Sequence, residues 1–187
     1  MAEKRKNWNG LISGFSASDL VFLDESGCNT DMTRRYAYSF GGSRAVDATP
    51  LSKPKNTTIL SSIQLDGTLH YTTFSGGTTV ERFKRYLETD LLPHLNGDSI
   101  LIMDNMKSHH AKAAKNLLDS SGVRYIYLPP YSPDLNPIEK LWSKVKSFLR
   151  KFKARTLDAL PNAIQRAFQT VSPSDCSGWF KSCDYLH

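Results

Sequence analysis

Two short apolar runs, Leu20-Val21-Phe22-Leu23 and Ile100-Leu101-Ile102-Met103, each lead straight into an aspartate, Asp24 and Asp104. An unbroken apolar run of this length, bounded by polar residues, predicts a strand buried on both faces of a sheet. An acid closing such a strand lies at the sheet's carboxyl edge, where open α/β sheets bind their ligands. One acid of this kind is commonplace, because Asp favours turns. Two of them, joined by a third acid at a helix start, form a constellation that can hold metal ions.

The third acid comes from Leu128-Pro129-Pro130-Tyr131-Ser132-Pro133-Asp134-Leu135-Asn136-Pro137-Ile138-Glu139-Lys140-Leu141-Trp142, a proline-studded loop feeding a helix. Asn136 reads as the N-cap and Pro137 as the first helical position, where a missing N–H costs nothing. Glu139 then falls at the third helical position. Taken alone, Asn-x-x-Glu fits a capping box, with the carboxylate bonding only the N-cap amide. Taken with Asp24 and Asp104, it fits a ligand set. Mg²⁺ takes oxygen ligands and keeps several waters, so two or three carboxylates and a substrate phosphate suffice.

The rest of the chain is read around these residues. Residues 1–18 carry few apolar side chains without a clear period, so they are expected to be a tail or linker stub before one domain over 19–187. Strands are expected at Leu20 to Asp24, Tyr36 to Phe40 and Ile100 to Met103, with a short last one at Tyr125 to Leu128. Thr57 to Leu65 and Leu69 to Phe74 flank the turn signal Asp66-Gly67 and predict a hairpin. Thr78-Thr79-Val80-Glu81 supplies a capping box to a helix bearing Val80, Phe83, Leu87 and Leu91 on one face and stopped by Pro93. A helix near His109 to Leu118 has Ser108 as its expected cap. Ile138, Leu141, Trp142, Val145, Phe148, Leu149 and Phe152 make an apolar stripe at helical period from Pro137 to about Phe152. A further helix runs from about Leu157 to Phe168 behind Thr156, with Pro161 arguing for a kink or a late start. This order fits an α/β chain with a mixed sheet flanked by helices.

Composition narrows the class. A chain of 187 residues with 40% hydrophobic and 22% charged residues suits one soluble domain with a full core. No apolar run approaches the ~20 residues that span a bilayer, so no membrane partner is expected. The basic start, Met1 to Lys6, has no apolar stretch behind it and predicts no secretory signal. Three cysteines, Cys28, Cys176 and Cys183, without zinc-like spacing suit a reducing cytosol, so a cytoplasmic location is expected. A net charge of +6 favours a polyanionic partner.

These motifs resemble the catalytic domain of the mariner superfamily of DDE transposases, in particular its bacterial insertion-sequence branch. Asp24 begins Asp-Glu-Ser-Gly, followed by Arg34-Arg35-Tyr36-Ala37-Tyr38 and a glycine pair. Asp104 begins Asp-Asn, with His109 five residues on, and 34 residues separate Asp104 from Glu139, the family's usual interval when the third acid is Glu. The Pro-Pro-Tyr-Ser-Pro-Asp-Leu-Asn-Pro-Ile-Glu segment is long and specific. The resemblance spans roughly Leu20 to Tyr185. It implies a ribonuclease-H-like fold with a five-stranded sheet, and an enzyme whose Asp24, Asp104 and Glu139 are the catalytic residues and metal ligands. Mg²⁺ or Mn²⁺, as two ions, is the implied cofactor, with Asp24 the ligand bridging both. The implied partners are DNA, as element ends and target, and a second copy of the chain. The family's N-terminal helix-turn-helix region is not seen in this sequence.

Individual residues divide less cleanly. Successive strand residues point to opposite faces, so only one of Asp24 and Glu25 can join the site, and the motif selects Asp24. Asp134 reads as turn chemistry rather than as a ligand. His109 and Asn105 match the family and are expected behind the acids or against substrate, while adjacent His109 and His110 cannot easily chelate one ion. From Lys140 to Arg155 seven residues are basic and none acidic: Lys140, Lys144, Lys146, Arg150, Lys151, Lys153 and Arg155. They are either a solvated helix face or a track for a DNA backbone, and the second reading is preferred because the same helix carries Glu139. Arg34, Arg35 and Arg44 are weaker candidates of the same kind. Tyr127, Tyr131, Trp142 and Trp179 read as packing residues. The expected function is DNA strand cleavage and strand transfer. The alternatives are a ribonuclease-H-like nuclease and an inactive DNA-binding regulator.

Overall fold

A computed structural model describes residues 2–34, 36–48 and 54–186, with the side chains of residues 2–6 excepted. Arg35 lies outside the described residues.

Five strands form one mixed sheet: β1 (Leu20–Cys28), β2 (Thr57–Ile63), β3 (Leu69–Ser75), β4 (Ile100–Met103) and β5 (Arg124–Tyr127), in the order β3-β2-β1-β4-β5. The first strand is central. It runs antiparallel to β2 and parallel to β4, with Leu20 opposite Ile100 and Leu23 opposite Met103. It continues to Cys28, four residues past the expected end, paired there with β2 alone. Asp24 therefore stands where the parallel neighbour ends, not where the strand does.

The helices are α1 (Ala2–Ile12), α2 (Val80–Tyr86), α3 (Lys112–Ser121), α4 (Ile138–Phe152), α5 (Leu160–Gln169) and α6 (Pro173–Lys181). Side chains of a strand alternate between its faces, and here the alternation sorts two cores. Leu20 and Phe22 pack with Ile100 and Ile102 under α4, α5 and Phe180. Val21 and Leu23 pack with Leu101 and Met103 under Phe83, Tyr86, Ala114 and Leu118. The fully apolar runs are thus explained: both faces of β1 and β4 are covered.

Several expectations are corrected. The presumed tail contains α1, whose Trp8 and Ile12, one turn apart, are buried in the core; Trp8 Nε1 donates to Tyr185 Oη at 3.2 Å. Two anchors among polar residues make too weak a period to see in sequence. Tyr36 to Phe40 is not a strand: Tyr36, Tyr38 and Phe40 are exposed, and a one-turn helix covers Phe40–Gly42. Alternating aromatics satisfy the strand period, but a strand exists only where a neighbour takes its hydrogen bonds. The third helix starts at Lys112 behind Ala111, not behind Ser108, whose buried Oγ has no hydrogen-bond partner among the described residues. It ends at Gly122, whose φ of 75° suits a residue without Cβ. Pro161 sits in the first turn of α5, which accounts for the late start at Leu160, while Thr156 Oγ1 accepts from Ala159 N.

Candidate active site

The strand register sets two of the acids side by side. Leu23 pairs with Met103, so Asp24 and Asp104 leave adjacent strands at the same level, where neighbouring backbones lie ~4.8 Å apart. The third acid arrives on the first turn of α4. Trp142, one turn beyond Glu139 on the same helix face, reaches into the sheet and donates its indole N–H to Asp24 Oδ2 at 3.1 Å. That bond fixes the start of α4 over β1 at the level where β4 ends. Asp24, Asp104 and Glu139 line one cleft of about 450 Å³ with Asn105, Leu128 and the proline-rich loop to Asn136.

The capping box is not formed. The fourth helix begins at Ile138 after Pro137, with no side-chain cap, and Asn136 Oδ1 is buried without a partner among the described residues. Glu139 is exposed at the cleft, in a first turn where the helix dipole favours a negative charge.

The electrostatics of the two aspartates differ. Burial, with the neighbouring charges of Asp104 and Glu139, pushes Asp24 up to about 7, against the lowering effect of hydrogen bonds from the Glu25 amide and Trp142. Burial also disfavours ionised Asp104, but the hydrogen bond and charge of His109 prevail and hold it below its ordinary value. His109 Nδ1 lies 2.8 Å from Asp104 Oδ1. Burial works against a charged His109, yet Asp104 and Glu25 together raise it to about 9.

The donor set suits a hard cation. Three carboxylates supply only oxygen, and their mutual repulsion in the Asp24 environment is what a divalent ion would relieve. Among the described residues, no three His, Cys, Asp or Glu side chains stand close enough together to hold a metal ion by themselves. An open arrangement fits Mg²⁺, which keeps waters and shares itself with substrate phosphate.

Other expected site residues are placed as follows. Asn105 Nδ2 donates to Leu128 O at 2.6 Å, latching the proline-rich loop to the end of β4, and its Oδ1 faces His110 Nε2 at 3.3 Å. Asp134 sits in the one-turn helix Pro133–Leu135, away from the cleft lining. Tyr131 is not a packing residue: it is exposed, lines the cleft and has a φ of 56°. Trp142 packs as expected, but its hydrogen bond to Asp24 was not legible; its spacing from Glu139 was the available signal.

The basic run divides. Lys144 Nζ pairs with Asp175 Oδ2 at 2.5 Å and Lys153 Nζ with Asp47 Oδ1 at 2.6 Å. Arg155 donates to the carbonyls of Thr30, Met32 and Ala48. These three are committed to the fold. Lys146 and Arg150 line an 880 Å³ groove with Arg34, while Lys140 and Lys151 line another of 830 Å³ that reaches Glu139 and also takes in the Lys144–Asp175 pair. Arg44 is exposed. Among the described residues, no helix is long and apolar enough to cross a membrane.

Comparison with known proteins agrees with this geometry. The model of the DDE superfamily endonuclease family matches residues 19–161. The Tc1 transposase of Caenorhabditis elegans is 26% identical over 97 residues, half of this chain but 36% of that protein. The chain thus matches about a third of the length of this curated relative. The Mos1 mariner paired-end complex with Mn superposes with a TM-score of 0.81 at 21% identity, over 97% of this chain and 58% of that one. The Mos1 transposase catalytic domain with Raltegravir and Mg gives 0.72 at 19% identity, over 98% and 90%. These superpositions make the fold ribonuclease-H-like. With the family match over most of its length, the chain belongs to the DDE superfamily endonucleases.

Proposed function

We propose that this chain is a transposase catalytic domain that cleaves DNA strands and joins the freed 3′ end to target DNA. The observation that carries the reading is the meeting of Asp24, Asp104 and Glu139 in one cleft, with Glu139 released from its capping role. All three are assigned as catalytic residues and metal ligands. Two Mg²⁺ or Mn²⁺ ions are proposed; held by these carboxylates, they would supply activation of the attacking water or 3′-hydroxyl and charge stabilisation of the leaving oxygen. Mos1 structures with Mn and with Mg support a divalent metal.

The protein's own part is to hold three oxygen donors at one edge of a rigid sheet. Asp24 sits on the central strand with its orientation fixed by Trp142 and the Glu25 amide, and would be the ligand shared by both ions. Asp104 is kept ionised by His109. Asn105 holds the proline-rich loop as the cleft wall. Lys140, Lys146, Arg150 and Lys151 are the cations we assign to the DNA backbone; such contacts position DNA without reading sequence. The Pro-Pro-Tyr-Ser-Pro-Asp-Leu-Asn-Pro-Ile-Glu segment supports placement in the bacterial insertion-sequence branch. The Mos1 paired-end complex supports a working unit with more than one copy.

Supercoiled plasmid incubated with the protein and Mg²⁺ or Mn²⁺ tests the reading: nicking is expected with either ion and none in EDTA. Nicking that persists in EDTA would remove the metal mechanism. A pre-cut 3′ end that is joined to target distinguishes a transposase from a nuclease of the same fold.

A further inference from the structure

Behind the cleft, on the other face of the sheet, a second carboxylate points at the same histidine that holds Asp104. Asp24 shares its face with Phe22, whereas Glu25 shares the opposite face with Val21 and Leu23. On that face His109 is fully buried, with its ring against Phe83 at a centroid distance of 4.4 Å. Its Nδ1 contacts Asp104 Oδ1 at 2.8 Å, and its Nε2 faces Glu25 Oε2 at 3.6 Å. Both atoms of the second pair are buried and have no other hydrogen-bond partner among the described residues. Leaving two buried polar atoms unpaired is costly, so each is the other's natural partner, a short closure away. The main chain is pinned as well, since Tyr127 Oη donates to His109 O at 2.9 Å.

We propose that Glu25 is a positioning residue, setting the Asp104 carboxylate through His109 from the face of the sheet opposite the cleft. The inference rests on the reading of Asp104 as a metal ligand. A carboxylate at each imidazole nitrogen accepts an N–H from it, and the two together fix the ring's orientation. Here the far nitrogen is anchored by Glu25 and the near one presents N–H to Asp104. One oxygen of Asp104 is thereby occupied and the other is held toward the cleft. Glu25 touches neither metal nor DNA; its effect passes through the ring.

Three variants test this: Glu25→Leu, which removes the acceptor, Glu25→Asp, which shortens its reach but keeps the charge, and Glu25→Gln, which keeps an acceptor oxygen at full reach. In metal-free protein, proton–nitrogen NMR is expected to show a slowly exchanging His109 Nε2–H. It should be lost in E25L and E25D and retained in E25Q. Mn²⁺ affinity, by calorimetry, should fall ~10-fold or more in E25L, the usual size of such outer contacts, and less in E25Q. In a His109→Phe background, E25L should add nothing further. Wild-type Mn²⁺ affinity in E25L, or effects that add in the double variant, overturn the proposal. If E25L does not fold, the contrast between E25D and E25Q decides; equal loss in both overturns it. Asp104→Asn is the control: if it binds Mn²⁺ like the wild type, the assignment of Asp104 fails and not that of Glu25.

Discussion

At the first turn of α4, Glu139 has left its capping partner Asn136 and stands exposed beside two other acids. At the last turn and just past it, Lys153 and Arg155 are spent on Asp47 and on three carbonyls of the 30–48 segment. Both ends are charged, and in sequence both read as functional. The difference is in how the neighbours are satisfied. At the N-terminal end Trp142 meets Asp24 and leaves the Glu139 carboxylate free. At the C-terminal end opposite charges and bare carbonyls are within reach, and a cation with such partners takes them. Along this helix, the charge left for chemistry is the one to which the fold brings no opposite charge.

The largest effect that would break this comparison lies at the acidic end. Asp24→Asn, Asp104→Asn and Glu139→Gln are each expected to lower plasmid nicking by ~10³-fold or more, since a bound metal contributes several kcal/mol of charge stabilisation. Near wild-type nicking by any one of them removes that residue from the site.

Next comes the pH dependence of stability in metal-free protein. Burial raises Asp24 from 3.8 to about 7 in the fold, so the folded state binds the extra proton between those values. Stability of the wild type should therefore fall as pH rises from about 4 to about 7. Asp24→Asn lacks this loss, offset by about 1 kcal/mol for one weakened hydrogen bond. Its melting temperature relative to wild type should climb across that window; a flat difference would mean Asp24 is not desolvated. His109, raised from 6.5 to about 9, contributes stability that is fully present below 6.5 and lost as pH passes about 9. His109→Phe should abolish that alkaline limb.

A smaller effect separates the two kinds of cation. Charge reversal of Lys146, Arg150 and Lys151 together should weaken DNA binding for all sequences and lower the salt slope by ~0.9 per lost phosphate contact. Reversal of Lys144 and Lys153 should change that slope little. Fluorescence anisotropy titrations at several salt concentrations would tell; equal slopes for both sets would return the whole run to the DNA face. The smallest expected change is thermal: Lys144→Ala should cost ~0.5 kcal/mol by loss of a partly exposed pair with Asp175, and a larger loss would mean that pair holds α6 in place.

The amino-acid order alone makes legible the sheet's central strands, the three acids and the helix that carries the last of them. Those features are local: an apolar run, a following Asp, a proline at a helix start and a stripe at helical period all keep their meaning without a neighbour. It did not determine that α1 packs on the core, because Trp8 finds its hydrogen-bond partner, Tyr185, at the far end of the chain. Nor could it show that 36–40 is not a strand, which depends on a sheet edge being present. Only the tertiary structure decided that Glu25 and Asp104 meet at one histidine and that Trp142 seats Asp24. Both contacts join residues distant in sequence, and no local pattern names the partner. The same cause divided the basic run: a lysine's charge is written in the sequence, but whether an aspartate waits beside it is settled only when the chain has folded.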